Sequence, residues 1–270
     1  MKLMRIKIFG AVLAALCSAP FRAAIAGGLS SDLNAPGAVK ALFIDFDTST
    51  ALPTPVAEAV TKGPGAAYAG GDCAPVKNIG CYFNGAPAGE KAPLLIYYRG
   101  WLSDTNYPGG GLNGGHISGE ANILRSARAA LDFYGLKRLA QEKGLVVLVT
   151  GSSDINVTRQ HIADLQRELG YVFPAVHVAA HSGGYIGLSA SIDSLDRVDG
   201  IILLDPFYSD FSAKLRPWIQ SGAACGGFYT PHNNKRYEDY FFTLGCAVES
   251  RAAASDHEFY VPKSLNKNLP

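Results

Sequence analysis

Hydrophobic and polar positions follow two rhythms along this chain. Short, predominantly apolar runs occupy residues 93–98, 145–150, 175–180 and 200–204, and residues 39–46 form an earlier strand candidate. A run of that length with no polar face predicts a strand buried on both sides. Elsewhere the apolar residues recur at three and four. Ile123, Leu124, Ala127, Leu131 and Tyr134 define one helix over 120–142, ended by Gly144. Ile162, Leu165 and Leu169 define a second over 158–169, with Gly170 as its cap. Further helices are expected at 186–195, 211–219 and 234–244, and further strands at 226–230 and 246–249. A loop holding His257 and a terminal helical turn complete the chain. Strands alternating with helices predict an α/β domain, with a mostly parallel central sheet and helices on both faces. In such sheets functional groups gather at the carboxyl ends of the strands.

Two stretches keep neither rhythm. Residues 53–90 are rich in Gly, Ala and Pro and read as a loop with a short hairpin around Cys81-Tyr82-Phe83. The glycine-dense segment from Gly109 to Gly115 reads as a surface loop, a lid or a substrate wall. It lacks the Gly-Lys-Ser/Thr ending of a phosphate-binding loop.

The first residues belong to a different category. Lys2, Arg5 and Lys7 precede an apolar run over 8–16, and Ala24-Ile25-Ala26 follows. This is the charged, apolar and small-residue order of a secretory signal peptide, so residues 1–26 are excluded from the fold and export is expected, to the periplasm or beyond the cell. Removing 26 of 270 residues leaves 244, which suits one α/β domain over 27–270. With 48% hydrophobic residues a core is available, and a formal charge of +1 gives no reason to expect nucleic acid. No later apolar run approaches the ~18 residues of a membrane span. Beyond the leader, Cys73, Cys81, Cys225 and Cys246 remain. Four exported cysteines suggest two disulfides; three pairings exist, and Cys73–Cys81 with Cys225–Cys246 is the economical one. No Cys-x-x-Cys pair is present, and neither metal nor organic cofactor is implied.

Candidate chemistry starts at Ala180-His181-Ser182-Gly183-Gly184, where an apolar strand passes straight into a helix. A tight turn there lifts the serine hydroxyl above the sheet and aims backbone N–H groups at what it attacks. The sequence resembles the nucleophile elbow of the α/β-hydrolase superfamily, usually Gly-x-Ser-x-Gly, with Ala180 in place of the first glycine. The resemblance extends over most of residues 39–265 and implies an α/β-hydrolase-like three-layer sandwich. It also implies the order serine, acid, histidine. Asp205, after the 200–204 strand and before Pro206, is the acid it selects, and Pro206 predicts an extended Asp205. His257 is the base, with His232 in reserve. His181 is expected to point elsewhere on the turn, and His177 to be a satisfied core histidine. The N–H of Gly183 and that of Trp101, or else Gly100, would form the oxyanion hole.

The implied activity is hydrolysis of an ester or amide of a small-molecule or peptide acyl substrate through an acyl-enzyme. An exported peptidase or amidase acting on peptide or cell-wall material, and a catalytically silent binding protein on the same fold, are the alternatives. Asp45-Phe46-Asp47 resembles the paired aspartates of haloacid-dehalogenase-type phosphatases, but Thr48-Ser49-Thr50 departs from that pattern, so strand-end carboxylates capping a loop are the simpler reading.

Overall fold

The computed structural model describes residues 73–87, 91–101, 115–230 and 235–270, all within the compact unit Pro53–Pro270. The leader, the 39–46 strand with Asp45 and Asp47, His232 and the glycine loop before Gly115 lie outside the described residues.

Among the described residues there are eight strands: β1 Ala74–Val76, β2 Gly80–Asn84, β3 Leu94–Tyr98, β4 Val146–Thr150, β5 Val176–His181, β6 Gly200–Leu204, β7 Ala224–Tyr229 and β8 Ala247–Ser250. The helices are α1 Glu120–Phe133, α2 Leu136–Lys143, α3 Arg159–Leu169, α4 Tyr185–Ser191, α5 Ser212–Gln220, α6 Lys235–Phe242, α7 Asp256–Phe259 and α8 Val261–Asn268. The strands form one sheet in the order β1-β2-β4-β3-β5-β6-β7-β8. β1 and β2 are an antiparallel hairpin and β2 runs antiparallel to β4; every other pairing is parallel.

The period of two sorts the strand residues between two cores. Leu95, Tyr97, Val147 and Val149 face α1, α2 and α8, whose Ala127, Leu131, Leu139 and Leu265 pack with them. Leu94, Ile96, Leu148 and Val178 face the opposite layer, where Leu165 of α3, Leu188 of α4, Leu215 of α5 and Phe241 of α6 close over them. The architecture is therefore the three-layer α/β sandwich, a mostly parallel sheet covered on both faces, that the alternation predicts.

Disulfides join Cys73 to Cys81 and Cys225 to Cys246, with Cα atoms 5.7 and 4.6 Å apart. The first staples the hairpin; the second ties β7 to the residue preceding β8. No helix among the described residues is long and apolar enough to cross a membrane.

Three local expectations change. The single helix over 120–142 is two helices, because Gly135 takes a left-handed conformation (φ 61°) and breaks the chain between α1 and α2. The apolar rhythm runs through the break because both pieces lie on the same face of the sheet. The helix over 186–195 ends at Ser191 and continues as a 3-10 turn, Ile192–Ser194. His257 sits in the short helix α7 rather than in a loop.

The strand order also fixes where a site can form. The chain leaves β3 toward β4 on one side and then crosses to β5 on the other, so the carboxyl ends of β3 and β5 border a topological switch point. Arg99-Gly100-Trp101 and Ser182 follow those two ends.

Candidate active site

Ser182 has φ 49°, one of three positive values among the described non-glycine residues. Such a conformation costs on the order of 1–3 kcal/mol and persists only where the surroundings enforce it. Here they do. A Cβ at Gly184 would lie 2.2 Å from the carbonyl oxygen of Tyr98, and one at Gly100 would lie 2.6 Å from Cβ of Ser182. The turn is tight because β3 and its following loop press against it, and only glycine fits at both contact points.

Asp205 shares the positive φ, at 56°, so the extended conformation expected from Pro206 is not what forms. The reason is tertiary. Its N–H donates to the carbonyl of Phe228 at 2.9 Å, and its carboxylate reaches across to the end of β7. There Oδ1 accepts from the N–H of Thr230 at 2.8 Å and Oδ2 from the Thr230 hydroxyl at 2.6 Å. Asp205 is fully buried. The same Oδ2 lies 2.6 Å from Nδ1 of His257. Since a carboxylate only accepts, Nδ1 carries the hydrogen and Nε2 remains for proton transfer. Thr230, directly after β7, thus holds the acid that follows β6.

Burial pulls the His257 imidazole down, but its hydrogen bond to Asp205 and the charges of Glu258 and Asp205 outweigh that and leave it above its ordinary value of 6.5. A base of this kind works when neutral, so any reaction that uses it gains rate as pH rises through a value above 6.5. The segment bearing it is anchored from two sides. Arg251 donates its backbone N–H to the carbonyl of Tyr229 at 2.8 Å and its Nε to Asp256 at 3.0 Å.

Losing the Thr230 hydroxyl should loosen this pair without dissolving it. Thr230→Val keeps the backbone donor, so kcat/KM of the hydrolysis proposed below should fall about tenfold, the worth of one hydrogen bond to a charged group, with KM little changed. Steady-state kinetics checks this.

The two oxyanion candidates are neighbours. A Cβ built on Gly183 would meet Cδ1 of Trp101 at 2.5 Å, so the Trp101 indole lies beside Gly183 while remaining 64% exposed. The loop carrying Trp101 is gripped by Arg99, which is fully buried. Its Nη1 donates to the Gly100 carbonyl at 2.6 Å, Nε to Gly151 at 2.8 Å and Nη2 to Gly115 at 3.2 Å. The Tyr208 hydroxyl meets Ser182, and burial raises its pKa above the ordinary value. Sequence reasoning places Arg99 only as the first residue of the loop after β3 and passes over Tyr208, whose position soon after β6 is the signal that could have found it.

His181 is fully buried, and its ring nitrogens lie 3.1 Å from the Tyr134 hydroxyl and 2.9 Å from the backbone carbonyl of His257. His177 is buried near the amino end of β5, but neither ring nitrogen meets a hydrogen-bond partner, so it is not a satisfied core histidine. Burial lowers its pKa.

Ser152 and Asp154, after β4, form a second Ser-Asp-His set with His116, which precedes α1. Ser152 Oγ lies 2.5 Å from Asp154, whose other oxygen is 2.5 Å from Nδ1 of His116. The carboxylate stands between serine and histidine, so the imidazole does not reach the serine's hydroxyl. Ser152 instead binds the carbonyl of Gly115 and the N–H of Ile117, at 3.0 and 2.9 Å, and pins that loop to β4.

His181, His257 and Glu258 place potential ligand atoms within 4.8 Å of one another. Both nitrogens of His181 and Nδ1 of His257 are already committed to hydrogen bonds, which makes this a poor metal set.

No protein-family model and no curated protein matches the chain. Among solved structures it is similar to an S-formylglutathione hydrolase from Agrobacterium tumefaciens, at 13% identity and TM-score 0.36, over 67% of this chain and 86% of that one. A siderophore hydrolase from Aspergillus nidulans aligns at 10% identity and TM-score 0.38, over 74% and 94%. A puromycin-hydrolyzing peptidase from Mycobacterium tuberculosis aligns at 14% and 0.37, over 77% of this chain and only 40% of that one. Likeness of this degree leaves the chemistry to be argued from geometry.

Proposed function

We propose that the protein is an exported serine hydrolase cleaving carboxylic esters through Ser182, His257 and Asp205. The observation that carries this reading is a serine held at φ 49° on a strand-to-helix turn, with a buried aspartate after the adjacent strand β6 that lies 2.6 Å from a histidine after β8. In the proposed reaction Ser182 Oγ attacks the ester carbonyl while Nε2 of His257 takes its proton. The N–H groups of Gly183 and Trp101 hold the tetrahedral oxyanion, and the imidazolium, stabilised by Asp205, protonates the departing alcohol. Water then repeats the sequence on the acyl-enzyme. The reaction balances with ester and water alone. An ester is favoured over an amide because an alcohol leaves with less demand on the general acid. Two disulfides and the leader-like residues 1–26 support export.

The test is covalent labelling of the full oxidised protein with a fluorophosphonate probe, followed by peptide mass spectrometry. The label is expected on the peptide holding Ser182. A folded, oxidised protein that takes no label there would sink the hydrolase reading and leave the fold as a binding scaffold.

A further inference from the structure

We infer that His181 is a positioning residue for the base: its Nε2–H holds the backbone carbonyl of His257 and so ties the helix carrying the base to the residue before Ser182. The kinetic consequence rests on the hydrolase reading above, whereas the tie itself stands on geometry.

The arrangement begins with the period of two along β5. Ala179 packs in the layer of α1, α2 and α8, and His181, two residues on and still extended (φ −103°, ψ 130°), brings its ring to the same face. Tyr134, directly after α1, meets that ring edge-on with centroids 5.2 Å apart, and the His257 ring lies 4.8 Å from it. His181 has no exposed surface.

Its Nε2 lies 2.9 Å from the carbonyl oxygen of His257 and 3.9 Å from Oε2 of Glu258. A carbonyl only accepts, so Nε2 carries a hydrogen and donates it there. This holds for the neutral ring and for the charged one alike. Burial, with the His257 charge next, drives the pKa of His181 down to about 3, so near neutral pH the tie is made by an uncharged imidazole.

The carbonyl so held belongs to the residue whose ring must be aimed. At one end of His257, Nδ1 lies 2.6 Å from Asp205; at the other, the carbonyl accepts from His181. One contact would let the residue pivot about it, and two fix the line along which Nε2 of His257 is presented. Packing gives less help here. The helix α7 has four residues, Asp256–Phe259, and each retains exposed surface. On the other side of the tie, His181 and Ser182 are consecutive, with Cα atoms about 3.8 Å apart. Nucleophile and base are thus referred to one point at the end of β5. His181 itself delivers no proton to substrate.

The experiment compares native protein with His181→Gln, His181→Asn and His181→Leu. A glutamine amide nitrogen takes the place of the imidazole Nε2 and still donates to the carbonyl. Asparagine carries its amide at the place of Nδ1, too short to reach, and leucine has no donor. With an ester substrate, the asparagine and leucine variants should lower kcat about tenfold at unchanged KM, and glutamine should restore it. The loss stays below the roughly 10²-fold that a 1 Å misplacement can cost, because Asp205 still holds the ring. The low-pH limb of the rate profile should not move in His181→Gln, since the ring it replaces was uncharged. Proton NMR reads the tie without turnover. The low-field resonance of His257 Nδ1–H, bonded to Asp205, is expected in native protein and His181→Gln, and broadened in the other two. Thermal melts show which variants fold; if leucine does not, the two amides decide between them. Native kcat and a native resonance in His181→Asn overturn the inference. So does a loss that glutamine fails to restore, and so does a limb that glutamine shifts, which would mean that His181 acts through its charge. If Ser182 takes no fluorophosphonate but the resonance follows the donor, the hydrolase reading fails and the tie survives.

Discussion

Ser182→Ala and His257→Ala are each expected to lower kcat/KM of ester hydrolysis by about 10⁵-fold or more, and the double variant should be no worse than either alone. The two act as one unit. A hydroxyl without its base is a poor nucleophile, and a base without its nucleophile has no proton to take, so the second loss removes nothing that still works. Asp205→Asn belongs to the same series, with an expected loss of about 10⁴-fold. The carboxylate accepts from the N–H and hydroxyl of Thr230 as well as from His257. An asparagine amide must place its NH₂ toward one of these donors. Turned to His257, it forces the imidazole into the tautomer with hydrogen on Nε2, the wrong nitrogen for taking the Ser182 proton. Steady-state rates of purified variants, with thermal melts to show that each folds, check the series. Additive losses in the double variant would break the assignment of Ser182 and His257 to one catalytic unit.

Gly184→Ala should damage the fold more than its single methyl suggests. The added Cβ would lie 2.2 Å from the Tyr98 carbonyl oxygen and 2.9 Å from that of Arg99, both backbone atoms of the β3 end. A flexible side chain could move aside, whereas β3 is paired to β4 and β5 along its length and cannot. Relief must come from moving the turn that holds Ser182. The expected cost is about 3 kcal/mol, at the upper end for overpacking. For a domain of this size that lowers Tm by roughly 6–12 °C. Calorimetry measures the first effect; loss of fluorophosphonate labelling at temperatures where the variant is still folded would report the displaced serine. A variant with native Tm and native labelling would show that the close approach at Gly184 does not shape the turn.

Much of the architecture was legible in residue patterns because the forces behind it are local or repeat locally. Apolar runs such as 93–98 and 200–204 lie within one residue of β3 and β6, since a segment with no polar side has to be covered on both faces. Spacing at three and four located α3, and its end at Gly170 follows from the left-handed cap there. The break at Gly135 was hidden for the same reason that the helices were visible: α1 and α2 bury the same side, so the rhythm continues through the kink. The economical cysteine pairing joins residues 8 and 21 apart, close enough for chain proximity to favour it.

The sequence by itself determined the strand-helix alternation, the placement of Ser182 and Asp205 after strands, and a late histidine. It could not say that Asp205 turns left-handed toward Thr230, that His181 is buried against Tyr134 and the His257 carbonyl, or that Tyr134 and Glu258 meet across 124 positions of chain. Those facts come from tertiary structure alone. Periodicity records which face of an element is dry, and that is a property of neighbours three or four residues away. Hydrogen-bond partners in a site are chosen by which strand ends lie side by side, and the switch point between β3 and β5 is a product of the whole sheet order.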